Sequence, residues 1–207
     1  MWRSTLAAAI AAAPMIIVAA PAQADDAACL ERFKSLVADG NPDRGPVRIH
    51  VQQSVGNQQT ENYFYSAGSG SGDGLMEPLK NMGDMWVLFR NKKMYTSNDA
   101  GKTWAFGRDM DDASQPEAYK AQVRKDLETA AKVACAEEEL DGAAHDTVEG
   151  EFNSSALQGA STFNKYWINR ETGWLTRYVS TSEAGGGKFE VTQTIEPWPD
   201  LKLPDPE

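Results

Sequence analysis

Val47, Ile49 and Val51 alternate with Arg48, His50 and Gln52, the two-residue period of a strand with one wet face. A Gly56-Asn57 turn returns that strand into a second, Thr60 to Ser66. Ahead of the pair, Cys29, Leu30, Phe33, Leu36 and Val37 recur at helical spacing behind Asp26, which can cap the helix, while Gly40 and Pro42 stop it. Met85 to Phe89 is apolar on both strand faces, so the sheet should be covered on both sides there, by helices on one. Asn91-Lys92 turns the chain into Met94-Tyr95-Thr96, and Thr103 to Phe106 adds another strand. Ser114-Gln115-Pro116-Glu117 forms a capping box, and Tyr119, Val123, Leu127, Ala130 and Ala131 make the apolar stripe of a second helix running to about Lys132. Strands then follow through 133–139, His145 to Phe152, Phe163 to Ile168, Trp174 to Val179 and Phe189 to Ile195, with turns at Asp141-Gly142, Thr172-Gly173 and Gly185 to Gly187. The proline-rich tail from Pro197 should be irregular.

Two local motifs invite chemistry. Ala67 to Gly74 is rich in glycine, but its spacing matches neither a P-loop nor G-x-G-x-x-G and it opens no helix, so it reads as slack. Ser97-Asn98-Asp99-Ala100-Gly101-Lys102-Thr103-Trp104 matches the Asp-box pattern S-x-D-x-G-x-T-W. That resemblance implies a hairpin turn in which Asp99 accepts turn N–H groups, Gly101 takes positive φ and Trp104 packs over the hairpin. Asp-boxes recur in sialidase-type propellers, where they are structural, and a single copy in so short a chain does not make a propeller.

The amino terminus changes the picture most. Arg3 is followed by an uncharged apolar run from Leu6 to Ala20 and then by Pro21-Ala22-Gln23-Ala24, which reads as a secretory signal peptide over 1–24, cleaved after Ala24. The run is broken by Pro14 and shorter than the ~20 residues of a bilayer span, which speaks against a retained anchor. Asp25 and Asp26 speak against acylation at Cys29. The Ala-rich leader suggests a Gram-negative periplasm. Cys29 and Cys135, the only two cysteines, would meet an oxidising compartment, and a Cys29–Cys135 disulfide is expected as a structural staple.

The 207 residues carry a net charge of −10 with 41% apolar content, which suits a globular chain and a single domain over 25–207. A surface this acidic repels phosphate backbones, so no nucleic-acid partner is expected. His50 alternates onto the polar face of its strand and His145 follows a turn, which reads both as surface residues rather than bases or ligands. Asp109 to Asp112 lacks the register of a calcium loop, since Ser114 and Lys120 stand where Gly and Glu are required. No catalytic residues, metal or cofactor are assigned, and the chain is read as a non-enzyme.

The order helix, about five strands, helix, about five strands, resembles the periplasmic lipoprotein-carrier (LolA-like, LppX-like) superfamily. The segments that carry the likeness are Met85-Trp86-Val87-Leu88-Phe89 with Met94-Tyr95, Cys135 with the Glu137 to Gly142 hairpin, and above all Tyr166 to Arg177. The last is similar to the family's "Trp-Ile-Asp-x-x-Thr-Gly-x-Pro-x-Arg" hairpin, with Asn169 for the Asp and Thr176 near the Pro. The fold this implies is α+β, a curved antiparallel sheet of about 9–11 strands forming an open half-barrel, with two main helices covering its concave side over an apolar cavity. The implied cavity residues are Met85, Trp86, Leu88, Tyr95, Trp104, Trp167 and Tyr178, although the same aromatics would serve equally as core packing, and sequence leaves both uses open. The implied function is a monomeric exported carrier or binding protein for a lipid or lipoprotein acyl chain. The alternatives are a sensory or scaffolding module that contacts another envelope protein, and a hydrolase needing two carboxylates in a cleft.

Overall fold

The computed structural model describes residues 26–40, 45–68, 72–110, 116–185 and 187–206. The signal peptide, the centre of the glycine loop, Asp111, Asp112 and the Ser114-Gln115 start of the capping box lie outside them. Helix α1 spans Asp26–Asp39, and Gly40, at φ +67°, closes it by donating to the Leu36 carbonyl at 3.0 Å. Six strands follow: β1 Val47–Val55, β2 Gln58–Ser66, β3 Gly74–Lys80, β4 Trp86–Arg90, β5 Lys93–Ser97 and β6 Ala105–Asp109. Helix α2, Pro116–Asp126, then leads to β7 Ala131–Leu140, β8 Ala143–Ser154, β9 Ala160–Asn169, β10 Leu175–Ala184 and β11 Gly187–Pro197.

All eleven strands belong to one antiparallel sheet in the order β6-β5-β4-β3-β2-β1-β11-β10-β9-β8-β7. The first six march from the middle to one edge, α2 carries the chain to the far edge, and the last five march back. The seam is β1 against β11, in register from Val47↔Pro197 to Val55↔Phe189. The sheet is open, because β6 and β7 are not paired with each other.

Alternation assigns the two faces. Ile49 opposes Ile195 and Phe64, and the same side carries Tyr178, Tyr166 and Val148 across β10, β9 and β8. Both helices pack on this side, α1 on β7 and β8 and α2 on β8 and α1, so it is called the helix face here. Its core holds Phe33, Val47 and Val148, each 0% exposed, together with Leu127, Phe152, Ile168, Leu175 and Ile195. The disulfide Cys29–Cys135, with Cα atoms 5.9 Å apart, fastens α1 to β7 as expected.

Three expectations change. The second helix ends at Asp126 rather than near Lys132, giving a single 3₁₀ turn, Leu127–Thr129, before β7. Ala130 is already extended at ψ 131°, and the Thr129 hydroxyl, donating to Asp126 O at 2.6 Å, also accepts from Asn153 N at 2.9 Å; pairing with β8 outweighs helix propensity. The β4 core is buried on both faces, with Val87 at 7% and Leu88 at 0% exposure, yet the helices pack over β7 and β8, at the other end of the sheet. His145 is not a surface residue: it is 3% exposed, with Nδ1 2.9 Å from Ala143 O and Nε2 2.9 Å from Thr176 Oγ1. His50 is half-buried on the face away from the helices, 3.4 Å from Glu61.

Candidate functional site

A cavity of about 540 Å³ lies on the helix face, bounded by α1, α2, the end of β8 and strands β9 and β10. Its floor is Thr162, Asn164 and Tyr166 of β9 with Tyr178 of β10; Tyr166 pairs with Tyr178 across the strands, while Ser180 and Ser182, which pair with Asn164 and Thr162, stand outside the lining. The two tyrosine rings stack with centroids 5.0 Å apart. Asn164, 3% exposed, donates its amide to Tyr166 OH at 3.2 Å and accepts from Tyr178 OH at 3.3 Å. Burial pushes the Tyr166 hydroxyl well above the ordinary tyrosine value, and burial also raises Tyr178, so both stay protonated and neutral at physiological pH.

The walls are apolar: Val37 from α1, Val123 and Tyr119 from α2, Phe152 from β8, and Ala156 and Leu157 from the turn after it. At the rim, Asp126 accepts from Ser155 N at 2.8 Å, Ser155 Oγ at 2.9 Å and Gln122 Nε2 at 2.9 Å. Burial alone would raise the Asp126 carboxyl, but the hydrogen bonds from Ser155 and Gln122, with the nearby Lys125 charge, hold it below the usual carboxylate value. The end of α2 is thereby tied to the β8–β9 connection beside the cavity.

Of the seven residues expected in an apolar cavity, Tyr178 lines this one. Leu88 opposes Leu75 and Tyr95, and Leu75 opposes Tyr65, which opposes Arg48; with Trp86 two positions along, these residues lie on the face away from the helices. Trp167 faces the same way, through Arg177, Thr194 and His50. It donates to Glu138 at 3.0 Å and stacks under the Lys165 ammonium at 5.0 Å. The Lys165 hydrogen bond, assisted by Trp167 and opposed by burial, holds Glu138 below its usual value. Trp104 and Trp86 flank Gly101 of the Asp-box turn, Tyr95 packs edge-on against Phe106, and Met85 is 45% exposed just before β4.

Thr162, Asn164 and Phe152 of the lining were not singled out from sequence, and Tyr166 entered only as the start of the Tyr166 to Arg177 hairpin. The one available signal was the parity of Thr162, Asn164 and Tyr166 with Tyr178 along the paired strands.

His145 and Thr176 form the one close His–hydroxyl pair among the hydrogen bonds described, but the other ring nitrogen meets a carbonyl rather than a carboxylate and the ring is buried. Among the described residues no group of three or more His, Cys, Asp or Glu is placed to hold a metal ion, and no helix is long and apolar enough to cross a membrane.

No family model matches the chain, and no curated protein matches it. Similar solved structures include an uncharacterized conserved protein from Thermus thermophilus, 11% identical, covering 81% of this chain and 88% of that one, with a TM-score of 0.44. A LolA superfamily protein from Nitrosomonas europaea is 8% identical, covers 86% and 94%, and has a TM-score of 0.34. A protein described as an outer membrane lipoprotein-sorting domain, from Vibrio parahaemolyticus, is 9% identical, covers 84% and 92%, and has a TM-score of 0.35. At such identities and TM-scores these likenesses assign neither a family nor a ligand to the chain.

Proposed function

We propose that the chain is an exported carrier or binding protein that holds a lipid or acyl chain in the cavity between α2 and strands β8 to β10. The observation that carries this reading is the cavity itself: about 540 Å³ left between sheet and helices, walled by Val37, Val123, Phe152 and Leu157. This groove is half-open to solvent, and its volume falls within the range of small-ligand pockets. Affinity would come from burying hydrocarbon, at about 0.8 kcal/mol per CH₂. The helix face serves as the hollow side of the half-barrel. The volume suits one chain better than the several chains of a lipoprotein anchor.

The same proposal places a single domain, 25–207, in the periplasm after removal of 1–24, supported by the leader's composition and by the disulfide. The test is uptake of a fluorescent fatty acyl probe by delipidated protein, with native mass spectrometry of the purified chain for bound lipid. Leu157→Trp, which adds bulk at the cavity wall, should weaken uptake by about tenfold, or ~1.4 kcal/mol. A chain that purifies without lipid and takes up no probe refutes the carrier.

The scaffolding reading is favoured by one observation. Edge strand β6 is exposed at all its positions, and Phe106, Met85 and Leu79 near that end of the sheet are 57%, 45% and 45% exposed. An envelope protein that pairs with β6 would protect Ala105–Asp109 amides from exchange without touching the cavity.

A further inference from the structure

We propose that the cavity selects an amphiphile with an uncharged, hydrogen-bonding head, the chemistry of a monoacylglycerol ester, and seats that head against Thr162. The inference rests on the lipid-binding reading above and names the class of lipid. Thr162 and Ser182 face each other across β9 and β10, 6% and 4% exposed, and neither side-chain oxygen has a hydrogen-bond partner. Thr162 lines the cavity. One rung along the same ladder, Asn164 is satisfied by the two tyrosine hydroxyls. The floor therefore changes within one rung from saturated to unsaturated, and buried polar groups are otherwise almost always paired. A hydroxyl both donates and accepts, so the unpartnered Thr162 hydroxyl at the cavity can meet either the ester carbonyl or the free alcohol of such a head.

Charge narrows the class. Among the described residues lining the cavity, the one charged at neutral pH is Asp126, whose carboxylate is already engaged by Ser155 and Gln122. Lysine, arginine and histidine are missing from that described lining, so a phosphate or carboxylate head would be desolvated without a counter-charge beside a fixed negative group. A neutral head avoids that cost.

The experiment titrates the full, delipidated protein with three ligands sharing one twelve-carbon chain type: 1-monododecanoylglycerol, dodecanoate and dodecylphosphocholine. The neutral ester is expected to bind at least about tenfold tighter than either charged ligand, because the chain's contribution is common to all three. Thr162→Val should weaken the ester about five- to tenfold, the effect of one hydrogen bond, leave dodecanoate unchanged, and hold or raise Tm by removing a buried unpartnered hydroxyl. Thr162→Ala gives the same readout should the first variant fail to fold. Dodecanoate binding as tightly as the ester, or undiminished ester affinity with a lowered Tm in both variants, overturns head selection and leaves the lipid reading standing. No binding of any of the three overturns both.

Discussion

Gly150 lies where β8 passes beneath α1, and a Cβ built there would stand 2.9 Å from Val133 Cγ2 and 3.0 Å from Phe33 Cζ. Phe33 is fully buried and joined edge-on to Tyr166, so it has no room to retreat. Gly150→Ala should therefore destabilise the fold by about 1–3 kcal/mol through overpacking, measured by urea denaturation. Asp99 acts at the same scale. Its carboxylate accepts from Thr103 Oγ1 at 2.7 Å, Thr103 N at 2.9 Å, Ser97 Oγ at 2.7 Å and Lys102 N at 3.1 Å, the turn geometry that the Asp-box pattern implied. Those bonds, the Thr103 hydroxyl first, hold the carboxyl far below its usual value. The folded-state value being the lower, its stabilisation is complete above the unfolded value near about pH 3.9 and is lost as pH falls toward the folded one. Asp99→Ala should lower Tm at pH 7, with the gap to the parent closing on acidification below about pH 4, as thermal melts across pH would show.

At the scale of elements, α1 reaches the sheet through Phe33 and through the Cys29–Cys135 bridge, which closes a sequence separation of 106. Replacing both cysteines by serine should cost about 2–5 kcal/mol, read as a lower denaturation midpoint that reductant no longer shifts. The elements most legible in the sequence were those whose signals are local. The Val47/Ile49/Val51 alternation, the Gly56, Asp141-Gly142 and Thr172-Gly173 turns and the lone cysteine pair all stand in the structure as read. The end of α2 was not legible, because Ala130 to Lys132 suits a helix, whereas Ala130 is already extended and Ala131 pairs with Glu151 of β8. The cavity was legible at Tyr178 alone. Thr162, Asn164 and Ser180 alternate as a solvent face does, and what buries them is packing against elements distant in sequence. His145 was misread for the same reason, its partner Thr176 lying 31 residues away.

At the scale of the whole molecule, the C-terminal tail is anchored to the face away from the helices. Trp198 N donates to Pro46 O at 2.7 Å, and the Arg48 guanidinium lies 4.4 Å from the Trp198 ring and 4.9 Å from Tyr63 while pairing with Glu196 at 2.7 Å. The Glu196 hydrogen bond, against burial, raises Arg48 further above its usual value, so the clamp stays charged at any working pH. Helix cover and cavity belong to the β7–β10 side of the seam, and the Asp-box hairpin to the β4–β6 side.

β1 is the first strand in chain order and β11 the last, so the middle of the sheet cannot form until β11 is available. Hairpins on either side of the seam can form before it, but they have no centre to gather around. Losing β11 would therefore not shorten the sheet from its border; it would remove the spine.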